Sequence, residues 1–446
     1  MTMTRKNIVF FALLMATALA AIEGTIISTV ANSIVGSLGN SSLIGLVFSV
    51  YLLFSGVFSL LFGKLADAWS RKGTLIIGLL IFSSFSLLCG LATNMVTLII
   101  FRAFQGIGSG AIVPVSRSMV GFLFETKESR AKAQSVESSV WGIAGLVGPF
   151  LGGFILNYFS WHYIFFLNVP LTVIAILLIY FFVDEPKRQS QLSLDYVGSS
   201  LILLGAMTLF GSLYVRNTLL MLGLFLVSLL LFIMWFKREK DNSGNSLIDL
   251  SVLKNKHVLK INGLTLTTGM IAAGVNAYLP LWGQEMMSMS PLKAGSLLTP
   301  FLIFWTLGTI MNTYLIKKVS INQDLIIGTM CLVIGTLSLS FMGMAHGLMA
   351  YLTMMLIGIG MGITVSSLMI YLQFNAPKES LGSVMGLNSF VLMMSKSIGV
   401  ALLGAVYGRN LTFFSYGSTF SLIFVLIFIL GIQTLSIVRR LPESHV

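Results

Sequence analysis

The sequence predicts an all-α protein that crosses a membrane many times, and three observations carry that prediction. Of the 446 residues, 56% are hydrophobic and only 9% are charged, and the mean hydropathy is +0.94. A soluble domain carries about 25% charged residues, so this chain cannot cover a wet surface of its own size. The apolar residues come in uncharged runs close to the ~20 residues that span a hydrocarbon core as a helix. The Lys and Arg lie in short gaps between those runs, on alternate gaps, as membrane topology demands. Disordered, collagen-like and disulfide-rich classes fall to the same numbers. The net charge of +12 is therefore topological, and no nucleic-acid partner is expected.

Fourteen runs follow in order: 8–34, 42–63, 74–93, 95–116, 134–157, 163–183, 194–215, 218–236, 258–282, 292–315, 324–343, 348–372, 381–408 and 416–438. Arg5, Lys6 and Ala18-Leu19-Ala20 give the first run the outline of a signal peptide. Its apolar character continues to Ile34, so it reads as a span. Arg5/Lys6, Lys64/Arg71/Lys72, Lys127/Arg130/Lys132, Lys187/Arg188, the cluster from Lys237 to Lys260, Lys317/Lys318, Lys378 and Arg439/Arg440 fall on one side. Arg216, Lys293 and Arg409 fall on the other, which places both termini in the cytoplasm. The wet stretch 237–257 reads as a cytoplasmic linker facing anionic lipid.

Cys89 and Cys331 each lie inside an apolar run and read as packing residues, and the four histidines sit at span ends. No metal site, cofactor or phosphate-binding loop is expected, which excludes ATP-driven transport by this chain alone. A membrane-embedded enzyme would need a convergent nucleophile or His/Asp cluster, and none is visible.

Gly106-Ile107-Gly108-Ser109-Gly110, Lys127-Glu128-Ser129 and Gly148 recur in order as Gly358-Ile359-Gly360-Met361-Gly362, Lys378-Glu379-Ser380 and Gly399. In both copies 21 residues separate the Lys from the later Gly, which indicates a duplicated six-helix unit. The expected division is 1–190 for an N-terminal six-helix bundle, 191–257 for two inserted helices and the linker, and 258–446 for a C-terminal six-helix bundle. Two parallel repeats with a mid-membrane site between them is transporter architecture.

Five motifs carry a resemblance. Gly63-Lys64-Leu65-Ala66-Asp67-Ala68-Trp69-Ser70-Arg71-Lys72 resembles the GxLaDrxGrk signature of the major facilitator superfamily, with Ala68 and Ser70 replacing the usual Arg and Gly. Asp67 can accept from a helix N-terminus or a basic residue and so form a cytoplasmic latch with Gly63 and Arg71. Arg102-Ala103-Phe104-Gln105-Gly106 resembles the RxxQG element of drug:proton antiporters, and Gly145-Leu146-Val147-Gly148-Pro149-Phe150-Leu151-Gly152-Gly153 resembles their GxxxGPxxGG motif. The glycines of the latter let helices approach closely and Pro149 permits a bend. Trp161-His162-Tyr163-Ile164-Phe165-Phe166-Leu167-Asn168-Val169-Pro170 and Ile22-Glu23-Gly24-Thr25-Ile26-Ile27 resemble motifs of the fourteen-span branch, with His162 for Arg and Glu23 for Asp. The resemblance implies a major facilitator fold of two six-helix bundles plus two extra helices. It also implies a monomeric, multi-pass pump in the cytoplasmic membrane of a bacterium.

Glu23, Arg102, Glu137 and Lys396 read as intramembrane charges, each costing about 2.5–3.5 kcal/mol unless it faces a cavity or a partner. Glu23 lies roughly 22 Å along its helix at 1.5 Å per residue, and Arg102 enters from the opposite face to a similar depth. Either the two form an ion pair, or Glu23 titrates with Arg102 and Glu137 in proton coupling. Glu137 is alternatively a solvated helix-end residue, and Lys396 a counter-ion or a snorkelling side chain. Among 33 Phe and 24 Met, those lining a cavity suit flat, apolar ligands. Glu23, Gln105, Glu137, Trp141, Tyr278, Phe301 and Phe304 are the expected substrate-binding residues. The functional expectation is an antiporter that exchanges amphipathic, often cationic drugs for protons by alternating access. An exporter of a metabolite or a monovalent cation is the alternative.

Overall fold

A computed structural model describes residues 3–39, 43–185, 195–215, 218–241, 255–289, 296–340, 347–376, 380–410 and 416–439. Among them there are fourteen helices and no strand: α1 (Met3–Leu38), α2 (Ile44–Ala68), α3 (Arg71–Gly90), α4 (Met95–Leu123), α5 (Lys127–Tyr158), α6 (His162–Phe182), α7 (Tyr196–Tyr214), α8 (Thr218–Asp241), α9 (Lys256–Met287), α10 (Thr299–Leu315), α11 (Ile321–Ser340), α12 (Gly347–Asn375), α13 (Leu381–Asn410) and α14 (Tyr416–Arg439). Each overlaps one expected run. Nine of them are long and apolar enough to cross a membrane: α1–α4, α6, α8, α9, α11 and α12. The helix α10, with 17 residues, falls short of that length. Arg216, Lys293, Lys378 and most of the 237–257 linker lie outside the described residues.

Helix starts are written locally. Asn94 caps α4 by accepting from Thr97 N at 2.9 Å, and Ser70 caps α3 by accepting from Gly73 N at 3.0 Å. Ser320 and Gln323 form a reciprocal capping box ahead of α11, each backbone N–H donating to the other's side chain at 3.0 and 3.3 Å.

The chain divides into two compact units. Unit 1 holds Met1–Leu123, Ile143–Asn255 and Ala376–Phe390; unit 2 holds Phe124–Gly142, Lys256–Asn375 and Val391–Val446. The division differs from a split at 190 and 257. The helices α7 and α8 pack on each other and lie in unit 1, and α5 and α13 are each shared between units. The core of unit 1 gathers Ile27, Val30 and Ile34 of α1 with Cys89, Leu98 and Phe165. Cys89 is thus a packing residue. The core of unit 2 gathers Val275, Tyr278 and Leu279 of α9 with Phe301, Met354 and Ile357.

The repeat is visible as packing. The pairs α1·α4, α1·α6, α2·α4, α3·α4 and α3·α6 of unit 1 recur in unit 2 as α9·α12, α9·α14, α10·α12, α11·α12 and α11·α14. The glycines explain why. A Cβ on Gly106 would sit 2.4 Å from the Tyr51 carbonyl oxygen, and one on Gly358 would sit 2.6 Å from that of Phe301. On the opposite face, a Cβ on Gly108 would lie 2.6 Å from Gly78 O and one on Gly360 2.9 Å from Gly328 O. The same small residues bring α4 and α12 against their two neighbours, because no side chain fits between the backbones.

Candidate functional site

In unit 1, α1, α2, α3, α4 and α6 converge on one buried polar cluster. Glu23 of α1 and Arg102 of α4 are each 1% exposed and form an ion pair through Glu23 Oε1 and Arg102 Nη1. The structure therefore makes the ion pair that the sequence offered as one of two readings. Gln105 is one turn from Arg102 on the same face of α4, and its Oε1 accepts from Nη1 at 2.8 Å. Arg102 Nε donates to Val47 O at 3.2 Å, and the guanidinium lies 4.1 Å over the Tyr51 ring. The Gln105 Nε2 is buried with no hydrogen-bond partner among the described residues.

The second Glu23 oxygen, Oε2, accepts from Asn168 Nδ2 at 2.7 Å. Asn168 also donates to Ser86 Oγ at 3.0 Å, and Ser86 in turn donates to Phe165 O at 2.9 Å. Two buried charges are costly to desolvate, and a pair persists only where further hydrogen bonds satisfy it. Gln105, Asn168, Val47 and Tyr51 supply them. The sequence singles out Asn168 only as part of a motif. Its signal was a lone amide in an apolar run, two residues before Pro170.

A second cluster is built on the turn between α2 and α3. Asp67 accepts from Gly382 N at 2.8 Å and Ser383 N at 2.6 Å, in the first turn of α13, and from Arg71 Nη2 at 3.3 Å. A carboxylate suits a helix N-terminus, where backbone N–H groups lack partners. Close approach is possible because Gly63 meets Gly382, where a Cβ would lie 2.4 Å from the carbonyl oxygen. Arg71 also reaches Glu185 Oε1 at 3.4 Å and stacks 3.8 Å over Phe122. Ser70, the departure from the usual Gly, caps α3 and donates to Glu185 Oε2 at 2.8 Å.

The helix α5 carries the glycine-rich motif without a break from Lys127 to Tyr158. Gly148 and Gly152 are buried and Gly145 and Gly153 are part-exposed. Among the described residues no atom of a neighbouring helix lies within 4 Å of where a Gly153 Cβ would be, so none of them explains that glycine by close approach. Pro149 lies inside the helix, and its side chain is outside the described residues. Glu137 is buried, not solvated, and is placed in unit 2 beside Ser135, whose hydroxyl is 2.6 Å from Thr313 Oγ1. Tyr278 and Phe301 are packed in the unit 2 core, and Phe301 meets Trp305 edge to face at 5.3 Å. Neither presents an open face for a ligand here. Trp141 and Phe304 are part-exposed, and Lys396 is exposed. The sequence reading also missed a buried acid, Asp324, at the start of α11.

The model of the Major Facilitator Superfamily matches residues 13–400. The chain belongs to the major facilitator superfamily. It is a multi-pass membrane transporter and not an enzyme. The multidrug transporter protein MdtP of Bacillus subtilis is 31% identical over 412 residues, covering 90% of this chain and 75% of MdtP. The riboflavin transporter RibZ of Clostridioides difficile is 30% identical over 302 residues, covering 67% of this chain and 65% of RibZ. The proton:xylose symporter XylE, at 15% identity, shares the fold with a TM-score of 0.72 over 99% of this chain and 97% of its own.

Within this facilitator the Glu23 cluster can do one kind of chemistry. A carboxylate that binds only donors must lose or rearrange them when it takes up a proton, because the neutral acid has an O–H of its own to donate. Asn168 can follow by turning its amide.

Proposed function

We propose that the protein is a drug:proton antiporter of the fourteen-span branch. Two six-helix bundles flank α7 and α8, it works as a monomer, and both termini are in the cytoplasm of a bacterium. The observation that carries the reading is the buried Glu23–Arg102–Gln105–Asn168 cluster. It joins three motifs that resemble those of drug:proton antiporters within a few ångströms. The likeness to MdtP supports drugs as cargo.

In this reading Glu23 is ionised while it holds Arg102 and Asn168. A proton from outside neutralises it and frees Arg102 to rely on Gln105, Val47 and Tyr51. A cationic drug entering from the cytoplasm or inner leaflet favours the ionised form again, so proton and cargo compete. Only such differential binding shifts a conformational equilibrium. Each proton moving inward supplies about 2.3 kcal/mol per 100 mV. Gln105, Glu137, Trp141 and Phe304 contribute to the cargo surface, and Tyr278 and Phe301 join it when unit 2 repacks. Asp67, with Gly63 and Arg71, latches the first turn of α13, and Gly145, Gly148, Pro149, Gly152 and Gly153 let α5 bend as the latch opens.

The test is dye export from dye-loaded, right-side-out membrane vesicles under an imposed pH gradient, acid outside. Vesicles bearing the protein should export cationic dyes and acidify in exchange, and a lack of any gradient-driven export would end the proposal. The likeness to RibZ favours a second reading, export of a flat heteroaromatic metabolite, which the same vesicles test with riboflavin. Impermeant labelling of cysteines at 216, 293 and 409, but not within 237–257, checks the topology.

A further inference from the structure

Asp324 is 0% exposed, and among the described residues α10, α11 and α12, which enclose it, supply no counter-charge. The helices α10 and α12 contain no charged residue, α11 none besides Asp324, and α14 only Arg439 at its end. Lys317 and Lys318, in the turn before α11, are exposed. From the first turn of α5, Lys127 acts on Asp324 at a distance while its Nζ donates to Val319 O at 3.3 Å. Arg130 donates to Phe124 O and covers the Phe374 ring, and Glu128 and Lys132 are exposed. A buried carboxylate without a cation beside it is costly to keep ionised.

Its partners are neutral and adaptable. The Ser367 hydroxyl donates to Asp324 Oδ2 at 2.5 Å. One terminus of the Asn312 amide meets the Asp324 carboxyl, and the other lies 3.0 Å from both the Ser366 and Ser367 hydroxyls. Two arrangements therefore satisfy the group. With Asp324 ionised, Asn312 Nδ2 donates to it and the Ser366 hydroxyl donates to Asn312 Oδ1. With Asp324 protonated, its O–H donates to Asn312 Oδ1, and Nδ2 donates to the hydroxyls, which accept as readily as they donate. One half-turn of an amide separates the two states.

We propose that Asp324 and Asn312 form a second proton-binding site, in unit 2, in which the Asp324 carboxyl takes up a proton from the aqueous side and releases it again. Binding forms one O–H bond on Asp324 and release returns the proton to water, so the step needs no other reactant. The exposed Ser320 caps the same helix four residues away, which keeps the path short. One turn deeper on α12, Thr364 Oγ1 is buried with no partner among the described residues and faces Gly328 of α11, which extends the polar line inward. Leu75-Ile76-Ile77-Gly78 and Leu325-Ile326-Ile327-Gly328 place Thr74 at the equivalent position of unit 1 and Phe62 opposite Asn312. The site is therefore not a relic of duplication shared by both units. It rests on the proton-coupled reading for its role in transport, and it gives the exchange a proton beyond the one on Glu23.

Infrared difference spectroscopy on the full chain in lipid nanodiscs tests it. The protonated-carboxyl band that grows in the wild type as the pH is lowered from neutral to mildly acidic should be lost in Asp324→Asn, retained in Glu23→Gln, and shifted in Asn312→Leu, which removes the acceptor. Asp324→Asn, a mimic of the neutral acid, should melt like the wild type, and the proton count per dye exported should fall. A band unchanged in Asp324→Asn, or its absence from the wild type with a much lower melting temperature in Asp324→Asn, would mean an ionised structural cap and overturn the proposal. If dye releases no protons from the wild type, the antiport reading fails, and the band alone still decides whether Asp324 holds a proton.

Discussion

Asp67→Asn should loosen the contact between α2 and the first turn of α13 far more than its small change in shape suggests. Asp67 accepts two backbone N–H bonds, from Gly382 at 2.8 Å and Ser383 at 2.6 Å, and one from Arg71 at 3.3 Å. Hydrogen bonds to a charged group contribute about 1.5–3 kcal/mol each, against about 1 for neutral ones. The amide keeps one acceptor and turns its NH2 toward a donor, so one bond is lost and one weakened. The charge at the helix N-terminus goes too, for a further ~0.3–1 kcal/mol. A net loss of about 2–3 kcal/mol corresponds to a roughly 30- to 150-fold increase in the open population at tenfold per 1.4 kcal/mol. Ser59 is buried at this contact and donates to Gly386 O at 3.0 Å, so it reports the opening. In a background with Cys89 and Cys331 replaced by Ala, Ser59→Cys should react with a thiol reagent faster by that factor when Asp67→Asn is added. Arg71→Gln, which removes one long contact from Asp67, should raise the rate only a few-fold. Equal rates with and without Asp67→Asn would refute the capping argument.

Other outcomes follow from single groups. Glu23→Gln keeps size and an acceptor for Arg102 but cannot titrate, so it should abolish pH-gradient-driven efflux while dye still binds. Drug-induced proton release equal to that of the wild type would show that Glu23 is not the coupling acid. Glu137→Gln should weaken export of cationic dyes more than of neutral drugs if Glu137 meets cargo, and equal export of both by mutant and wild type would remove it from the pathway. Asp195 caps α7, accepting from Gly198 N at 2.9 Å, and binds Arg238 through both oxygens. Burial alone would raise its pKa, but Arg238 and the cap bond hold it below the ordinary 3.8. Its contribution to joining α7 and α8 is thus present above that value and lost as pH falls through the lower folded one. Melting in the acid range should show this loss for the wild type and not for Asp195→Asn.

The sequence by itself determined the elements, because the signals for them are local. Run length and caps such as Ser70, Asn94 and the Ser320–Gln323 box need only a few neighbouring residues, and each expected run overlaps a helix among the described residues. The glycine repeat was legible for the same reason, since Gly106 and Gly358 each admit a neighbouring backbone at one point. The Glu23–Arg102 pair was legible only as one of two readings, and the other partners of that carboxylate were not legible at all. Glu23 and Arg102 are 79 residues apart, and only the packing of α1 on α4 and α6 brings Arg102 and Asn168 to the two oxygens of one carboxylate. Burial was decided there as well. Asp324, beside Lys317 and Lys318, reads as a wet helix end until Asn312 of α10 and Ser366 and Ser367 of α12 close over it. Phe301 reads as a cavity aromatic until α9 and α12 enclose it. A helix needs only its own backbone to form, whereas the environment of a side chain is set by residues on other helices, here from 12 to 145 positions away.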